Sequence, residues 1–502
     1  MGENTLRSVM KANCSIDPGA NAIELDEKWY HWSFIAETID QLCELLDRKG
    51  VPEGAEVALL CRNRPHQVAA FCGVICSGRC LTPINPFGSA EKIVGDLKDL
   101  DARVVIAGNS DWDSLGLDAG LRNQLELAIS LDETRETGHV KTRAGVATRD
   151  EGQFSAPRPD VAVLIQSSGT TGKPKRIPIG LKNLSSAYSK IPAGGAGESH
   201  QRIMEKPALI TQPLVHIGGL FWVLHSLLGV RPISLLEKFD VRKWSAAVER
   251  HQIRVCSLVP AMINMVLESE LPPKTIASLL CIRSGTAPLS TETQKAFEER
   301  FNVPILSTYG ATEFSGAVCG WDLPMRKEFG DSKLGSVGRA YDGVELRVVD
   351  QKTGQPLPAG EAGILQVRSN QMMEDGWVAT TDLASIDADE FIWLKGRADS
   401  AINRGGFKIV PSEVSDILEK HESIKEAVVV GLEDARLGQI PVAAVEARNY
   451  AEAPTENELK EWAKANMTSY FVPVHIEVVE QLPRTPSMKV SLAEVRKLFA
   501  VR

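Results

Sequence analysis

Two periods of apolar spacing alternate along the first part of the chain. Residues 32–46, 65–77 and 90–100 have the spacing of helices with an apolar side. Short apolar runs at 56–60 and 103–107 are typical of buried strands. Because strands that alternate with helices form βαβ units, this pattern predicts a largely parallel sheet.

The alternation resumes further along the chain and then changes character. Further strands are predicted at 161–165, 208–211, 232–236, 255–259 and 278–282, and further helices at 218–228 and 241–251. Three short strands with Gly/Pro turns between them are then predicted, at 344–349, 363–367 and 391–394. After Gly396 the pattern predicts helices at 412–421 and 455–465 with a strand at 426–430.

These elements predict an α/β protein with two domains. We expect a large N-terminal domain at 1–398, built from βαβ-type sheets with a small β subdomain. A small α+β C-terminal domain follows at 399–502, with the boundary near Asp399. The chain of 502 residues is long enough for this arrangement.

Composition limits the classes of protein to which this chain can belong. A hydrophobic fraction of 43% and a charged fraction of 24% are those of a globular protein. A net charge of −9 without a long single-sign block argues against nucleic acid as the main partner. No apolar stretch of about 18 residues occurs, so we expect no membrane span, and no signal peptide is visible.

The nine cysteines include no Cys-x-x-Cys pair, which indicates reduced thiols and a cytoplasmic protein. Cys72, Cys76 and Cys80 are spaced as on one helical face. A metal or redox site is one reading of that spacing. We favour the other, in which these cysteines are small core hydrophobes.

Residues 166–176 form the segment richest in chemistry. Four hydroxyls, two glycines and two lysines follow directly after an apolar run. A loop after a buried strand presents backbone N–H groups, and hydroxyl and ammonium donors beside them favour anion binding. The spacing differs from the Walker pattern. An ordinary polar turn is the alternative.

Four further segments carry candidate chemistry. Residues 308–313 bring together an aromatic ring suited to stacking on a base and a carboxylate suited to Mg²⁺. Residues 377–383 end a strand with an Asp that suits a ribose diol, although a turn explains it equally. Residues 396–409 have the composition of a charged connector, and residues 482–490 carry a lysine on a Pro-flanked loop.

In order and spacing, these five segments together resemble the adenylate-forming superfamily, and most closely its acyl- and aryl-CoA ligases. The superfamily also contains peptide-synthetase adenylation domains and luciferases. The resemblance covers nearly the whole chain. It implies a mobile C-terminal domain, and it implies ATP, Mg²⁺ and coenzyme A as ligands.

The resemblance also implies a role for individual residues. Those around ATP are Ser168, Thr170, Thr171 and Lys175 at the phosphates, Tyr309 at adenine, Thr312 at the α-phosphate, Asp382 and Arg397 at the ribose, and Gly285 as a further nucleotide-binding residue. Glu313 corresponds to the Mg²⁺ carboxylate, and Asp399 to the hinge. Lys489 corresponds to the lysine that bridges the substrate carboxylate and the α-phosphate. Residues 403–408 correspond to a segment of the thiol tunnel.

The chain departs from the family pattern at five positions, which are Arg176, Thr381, Met488, Asn403 and Leu492. Arg176, Thr381 and Met488 each stand where the family commonly has glycine. Met488 should restrict the lysine loop, because a Cβ closes off conformations that are open to glycine. Asn403 and Leu492 stand where basic residues are frequent.

The segment 213–220 resembles the border of the family's carboxylate pocket. It contains no Asp to pair with an ammonium group, so an α-amino acid is disfavoured as substrate. The expected acyl pocket is lined by His216, Gly218, Ser284, Gly285, Thr286, Tyr309 and Gly310. The size of Gly218, Gly219, Gly285 and Gly310 suggests room for a bulky aryl or medium acyl group.

The resemblance predicts an ATP-dependent carboxylate–CoA ligase that works through an acyl-AMP. One alternative is a stand-alone adenylating enzyme that loads a carrier protein. Another is a nucleotide-binding regulatory protein without turnover, although Lys489, Glu313 and Asp382 are retained. We expect a small carboxylic acid and CoA, or a carrier protein, as partners, and a homodimer is compatible with the sequence.

Overall fold

A computed structural model describes residues 5–143, 154–155, 157–167, 175–184, 202–404, 407–485 and 488–500. The chain divides into two compact units. The first comprises Met1–Val318, Tyr341–Gly343 and Ser369–Asp375, and the second comprises Cys319–Ala340, Val344–Arg368 and Gly376–Arg502.

The described helices of the first unit are α1 (Thr5–Ile16), α2 (Trp32–Arg48), α3 (Pro65–Cys76), α4 (Ala90–Asp99), α5 (Asn109–Ser114), α6 (Leu117–Leu121), α7 (Ile217–Leu228), α8 (Val241–His251), α9 (Pro260–Glu268) and α10 (Thr291–Phe301). Its strands are β1 (Asn21–Leu25), β2 (Lys28–His31), β3 (Glu56–Leu60), β4 (Cys80–Ile84), β5 (Val104–Gly108), β6 (Leu127–Leu131), β7 (Val140–Thr142), β8 (Val161–Ser167), β9 (Lys175–Gly180), β10 (Ala208–Ile210), β11 (Ile233–Leu235), β12 (Val255–Ser257), β13 (Cys281–Ser284), β14 (Ile305–Ala311) and β15 (Gly316–Gly320), whose last two residues belong to the second unit.

The largest sheet of the first unit has the strand order β7-β6-β5-β3-β4-β8-β9. Its inner pairs are parallel, and its two edge pairs, β6 with β7 and β8 with β9, are antiparallel. Every residue of β3, β4 and β5 is buried except Glu56. Strands covered on both faces need such continuous apolar runs, which explains why they were visible in the sequence.

Two smaller sheets complete the first unit. One has the order β10-β11-β1-β2, and in the other β12, β13 and β14 run parallel before β15. Carboxyl ends of parallel strands meet at one edge of a sheet, and ligands of α/β proteins bind there. Arg283 and Ser284 at the end of β13 therefore lie beside the end of β14, which carries Tyr309 and Gly310.

The described helices of the second unit are α11 (Leu323–Phe329), α12 (Pro411–Leu418), α13 (Glu456–Asn466) and α14 (Leu492–Lys497). Its strands are β16 (Arg339–Ala340), β17 (Val344–Val349), β18 (Gly363–Ser369, whose last residue belongs to the first unit), β19 (Val378–Ile386), β20 (Ile392–Arg397), β21 (Ile402–Arg404), β22 (Phe407–Ile409), β23 (Ile424–Asp434), β24 (Gly438–Ala447) and β25 (His475–Val479).

The second unit contains two sheets. The sheet β17-β18-β19-β20 is the predicted small β subdomain, and the sheet β22-β21-β24-β23, with β25 beside β24, belongs to the C-terminal α+β part. The predicted α/β fold class is confirmed. The division at Asp399 stays a prediction, because the compact units group residues 376–398 with the C-terminal part.

The cysteines lie in the core, as the favoured interpretation predicted. Cys72 and Cys76 lie on α3, whereas Cys80 lies in β4, so the prediction of one shared helical face is wrong for Cys80. All nine cysteines are buried free thiols, and burial raises the pKa of Cys76 and of Cys80 to about 12. Over the described ranges, no group of His, Cys, Asp and Glu is suited to a metal ion. No helix in those ranges has both the length and the apolarity to span a membrane.

Candidate functional site

Residues 166–176, the predicted anion-binding segment, include the end of β8 and the start of β9. β8 and β9 are antiparallel, and Ser167 lies opposite Lys175 in their register. The ends of the intervening loop are therefore adjacent in space. Ser168, Thr170 and Thr171 lie outside the described residues, and Lys175 begins β9.

Arg176 has a partner that the sequence did not indicate. Its guanidinium forms an ion pair with the carboxylate of Glu56, which begins β3. The same carboxylate accepts a hydrogen bond of 2.7 Å from the Thr82 hydroxyl in β4. Both side chains are half-buried or more, at 31% exposed for Arg176 and 12% for Glu56. Arg176 therefore ties the strand that follows the loop to the centre of the sheet.

The end of β14 carries Tyr309, and the turn after β14 carries Thr312 and Glu313. Residues Thr312–Phe314 form one turn of 3₁₀ helix, and Phe314 is 3% exposed beneath it. The ring centroids of Tyr309 and Phe314 are 6.5 Å apart. A buried Phe314 anchors the turn, while Tyr309 is half-buried and Glu313 is exposed. An exposed carboxylate can offer its oxygens to a cation, so Glu313 fits a role as Mg²⁺ ligand.

The side chain of Gln371 stabilises this turn by hydrogen bonds. The sequence analysis did not identify this residue. Its side-chain amide donates to the Phe314 carbonyl at 2.8 Å and to the Ala317 carbonyl at 3.1 Å. Gln371 is 1% exposed; its hydrogen bond to Phe314 is buried, and its hydrogen bond to Ala317 is partly buried. Met372 follows Gln371 in the chain. Its carbonyl accepts a hydrogen bond of 2.5 Å from the side-chain amide of Asn183, which lies just beyond β9. Residues 371–372 therefore connect the loop hairpin with the turn after β14.

At the glycines predicted to widen the acyl pocket, an added Cβ would meet neighbouring atoms. A Cβ on Gly218 would meet the Gln212 side chain, and one on Gly219 would meet the Pro213 carbonyl. A Cβ on Gly285 would lie 2.7 Å from the Thr308 hydroxyl, and one on Gly310 would meet the Gly316 carbonyl. These positions allow close backbone approach, so the inference of free space from residue size is wrong.

His216 caps the N-terminus of α7 with extended backbone angles. Its N–H donates to the Pro213 carbonyl at 3.1 Å, and its carbonyl accepts from the Leu220 N–H at 3.0 Å. Thr286, another predicted pocket residue, has a left-handed φ of 73° in the turn after β13. Ser284 is 3% exposed, and its hydroxyl has no hydrogen-bond partner among the described residues.

In the second unit the two predicted ribose contacts are neighbours. Asp382 in β19 lies directly opposite Arg397 in β20. The Thr380 hydroxyl accepts from the Asp382 N–H at 3.0 Å and donates to the Leu365 carbonyl at 2.9 Å. This bonding shapes the bend of β19 at which Thr381 stands in place of the family's common glycine.

Asp399 lies in a single 3₁₀ turn, Ala398–Ser400, between β20 and β21. Gly396 just before it has a φ of +115°, and a Cβ there would meet the Ser412 hydroxyl. That hydroxyl donates to the Lys395 carbonyl at 3.1 Å. The connector is therefore closely packed against the start of α12 on one side of the predicted hinge.

Residues 403–408, the predicted tunnel segment, are described in part, because positions 405 and 406 lie outside the described residues. The Asn403 N–H donates to the Gln439 side chain at 3.0 Å. The Arg404 guanidinium donates to the Tyr470 carbonyl at 2.6 Å. The Phe407 ring is 54% exposed and stacks on Tyr470 with centroids 4.4 Å apart.

Lys489 is exposed on a short hairpin of the second unit. Its carbonyl accepts from the Thr485 N–H at 2.7 Å. Met488 before it has a left-handed φ of 64°, so the residue that replaces the family's glycine adopts the conformation that glycine favours. The Arg484 guanidinium donates to the Met488 carbonyl at 3.1 Å and pairs with Glu426, which steadies the hairpin.

The chain is similar to proteins of known activity over most of its length. It is 26% identical over 475 residues to 4-coumarate–CoA ligase 1 of Petroselinum crispum, which covers 91% of this chain and 86% of that protein. It is 28% identical over 481 residues to 4-coumarate–CoA ligase 1 of Narcissus pseudonarcissus, with 91% and 86% covered.

Solved structures share the fold. ATP-bound MatB from Rhodopseudomonas palustris superposes with a TM-score of 0.82 at 22% identity, over 99% of each chain. The o-succinylbenzoate CoA synthetase MenE from Bacillus subtilis, in complex with the acyl-adenylate OSB-AMP, superposes with a TM-score of 0.77 at 23% identity, over 97% of each chain.

Family matches cover both parts of the chain. The AMP-binding enzyme family matches residues 10–375, and the C-terminal domain of AMP-binding enzymes matches residues 413–489. The chain therefore belongs to the AMP-binding enzyme family, within the adenylate-forming superfamily of acyl- and aryl-CoA ligases.

Proposed function

We propose that this protein is an ATP-dependent carboxylate–CoA ligase. The observation that carries the proposal is the family match across residues 10–375, which continues with the C-terminal domain at 413–489. Curated relatives that cover 91% of the chain are 4-coumarate–CoA ligases, which supports CoA as the acceptor. Glu313, Asp382 and Lys489 are all retained, which supports turnover.

In the first half-reaction, a carboxylate oxygen of the substrate attacks the α-phosphorus of ATP. The bond to the bridging oxygen breaks, and pyrophosphate leaves with the electron pair. Both reactants are anionic, so cationic groups are needed to offset their repulsion. Lys489 supplies an ammonium group between the substrate carboxylate and the α-phosphate. Glu313 holds Mg²⁺, which offsets phosphate charge when it is bound.

We assign the contacts with the nucleotide to individual side chains. Tyr309 stacks on adenine, while Asp382 accepts hydrogen bonds from the ribose hydroxyls and Arg397 lies beside them. Thr312 contacts the α-phosphate. Ser168, Thr170, Thr171 and Lys175 bind the β- and γ-phosphates, and the paired strands on either side keep the ends of their loop together.

In the second half-reaction, the CoA thiolate attacks the acyl carbon, and the bond to the AMP oxygen breaks. We assign the hinge for the change between the two half-reactions to Asp399, which marks the boundary of the domains 1–398 and 399–502. Residues 403–408 then form part of the thiol path. The protein acts in the cytoplasm, where its nine free thiols remain reduced.

The test is a pyrophosphate-release screen over aryl, fatty and polycyclic acids, with ATP and Mg²⁺, in the presence and absence of CoA. The expected result is release that depends on one class of acid, with AMP and an acyl-CoA formed when CoA is added. Adenylate formation that ignores CoA would favour the loading of a carrier protein. ATP binding without release for any acid would favour a regulatory protein and contradict the proposal.

A further inference from the structure

Helix α7 and strand β13 bring aromatic rings and cationic groups together. The Arg283 guanidinium carbon lies 5.8 Å from the centroid of the Trp222 ring. The His225 ring stands edge-on to Trp222 at 5.8 Å and stacks on Phe221 at 5.9 Å. One face of α7 therefore presents Trp222 and His225 to Arg283 at the end of β13.

Arg283 carries a charge that the described residues do not neutralise. Among the described residues no carboxylate forms an ion pair with it, and its buried Nε–H has no hydrogen-bond partner. A guanidinium stays protonated at any physiological pH. Burying such a group in part without a counter-charge is costly, so a charge of this kind in a ligand site favours an anion.

A second arginine, Arg231, acts on His225 together with Arg283. Arg231 donates to the Lys206 and Pro207 carbonyls, at 3.0 and 3.1 Å. Burial and the charges of Arg231 and Arg283 lower the pKa of His225 to about 4. The His225 ring is therefore neutral near pH 7.

Helix α7 connects this cluster with residues of the expected acyl pocket. α7 begins beside His216 and Gly218, where the resemblance puts the carboxylate that is activated. A rise of about 1.5 Å per residue puts Trp222 roughly 6 Å beyond Gly218 along the helix, and His225 roughly 10 Å beyond it. A Cβ on Gly316, in the turn after β14, would lie 4.0 Å from the Phe221 ring, so α7 packs against that turn.

We propose that the substrate is an acid with a second carboxylate, which Arg283 binds over the face of Trp222 while the first carboxylate is activated. The proposal deepens the proposed function and rests on it. The helical distances suit aliphatic diacids of about four to six carbons and aryl acids with a second carboxylate on the ring. Acids that end in a methyl group would occupy the same space but leave the Arg283 charge uncompensated.

The test compares matched acids of equal carbon number in the pyrophosphate-release assay. The diacids are succinate, glutarate, adipate and isophthalate, and their partners are butyrate, pentanoate, hexanoate and 3-methylbenzoate. We expect kcat/KM for at least one diacid to exceed that of its partner by on the order of 10- to 100-fold, the range of a hydrogen bond to a charged group. Arg283→Met keeps the length of the side chain and should abolish this ratio by lowering kcat/KM for the diacid.

Two controls separate charge from folding. Arg283→Lys keeps a positive charge without the planar fork, so it should retain part of the diacid preference. Arg242→Met removes an exposed arginine from α8 and should leave the ratio as in the wild type. Thermal unfolding of each variant shows whether a loss of activity reflects loss of fold.

The outcomes distinguish this inference from the proposed function. Activation of monoacids with no diacid preferred, or a diacid ratio that survives Arg283→Met in a folded protein, overturns the inference and leaves the ligase function intact. Failure of the wild type to activate any acid in the wider screen overturns both.

Discussion

Met488 has a backbone conformation that is unfavourable for a residue with a Cβ. Its φ of 64° lies in the left-handed region, where a Cβ meets the following carbonyl. The Arg484 guanidinium holds the Met488 carbonyl at 3.1 Å, and the Thr485 carbonyl accepts from its N–H at 2.8 Å. The hairpin that carries Lys489 therefore keeps the geometry of the family's glycine at a local cost.

Met488→Gly should relieve that cost. We expect the free energy of unfolding to rise by about 0.5–1 kcal/mol, since left-handed backbone costs an L-residue about 1–2 kcal/mol and glycine loses some of this to chain entropy. Chemical denaturation measures the change. Met488→Ala is the matched control, because it removes the side chain and keeps the Cβ. Equal effects of the two substitutions would mean that backbone strain is not the cause.

His225 is the residue whose protonation should couple to stability. Its pKa is lowered to about 4, so between about pH 4 and 6.5 the unfolded chain binds a proton that the folded chain does not. Stability is therefore present above pH 6.5 and falls as the pH drops through that window. At a limit of about 1.4 kcal/mol per pH unit, and allowing for partial exposure, we expect a loss of about 1–2 kcal/mol between pH 6.5 and 4.5.

His225→Phe tests this dependence. Phenylalanine keeps the stacking on Phe221 but has no proton to bind, so the difference between the two proteins isolates this group. Denaturation midpoints at pH 7 and pH 4.5 should converge in the variant relative to the wild type. An unchanged pH slope would show that another group is responsible.

Among the elements, the hairpin β8–β9 and the turn after β14 matter most, because each needs an anchor that lies far away in sequence. Arg176 fastens β9 through Glu56, which lies in β3. Gln371 fastens the turn through two carbonyl groups. These anchors are hydrogen bonds and an ion pair rather than apolar contacts. They therefore leave no hydrophobic period in the sequence.

Gln371→Leu should damage both stability and nucleotide binding. One buried and one partly buried carbonyl would lose their donor, which costs on the order of 1–3 kcal/mol in the free energy of unfolding. The turn after β14 would loosen beside the strand end that carries Tyr309, so KM for ATP in pyrophosphate release should rise several-fold. Unfolding curves and ATP titrations provide the two measurements.

Gln124→Leu is the matched control for this prediction. The Gln124 amide also donates to two backbone carbonyls, those of Leu97 at 2.8 Å and Ala102 at 3.0 Å. It should lower stability without changing KM for ATP. If both variants leave KM for ATP unchanged, Gln371 has only a structural role.

For the whole molecule, the proposed reaction assigns different tasks to the two half-reactions. Lys489→Ala should lower acid-dependent pyrophosphate release by at least on the order of 10²-fold, the usual loss when a placed cationic donor is removed. A synthetic acyl-adenylate should still react with CoA, because the thiol step does not need this ammonium group. Rapid-quench assays of each half-reaction separate the two steps.

Lys497→Ala is the control, since Lys497 is an exposed lysine on α14 that pairs with Glu494. It should keep both half-reactions at wild-type rates. Adenylation at the wild-type rate in Lys489→Ala would make the assigned role wrong, and loss of both steps alike would point to a disturbed fold.

The sequence by itself determined the elements that repeat an apolar pattern. β3 and α8 begin and end where the pattern predicted, and the alternation of strands and helices was enough for the parallel sheets. Five ordered motifs were likewise enough for the family. Such signals are local, because periodicity and motif spacing are properties of consecutive residues.

Only the tertiary structure decided what depends on residues distant in the chain. Three features arise from segments that meet only after folding. They are the ion pair of Arg176, the hydrogen bond of Gln371 to the turn, and the close approach of neighbouring backbone to Gly310. The absence of a counter-charge for Arg283 among the described residues belongs to the same class, because it shows only once those residues are folded together. Residue type predicts what a side chain can do, and packing decides what it meets.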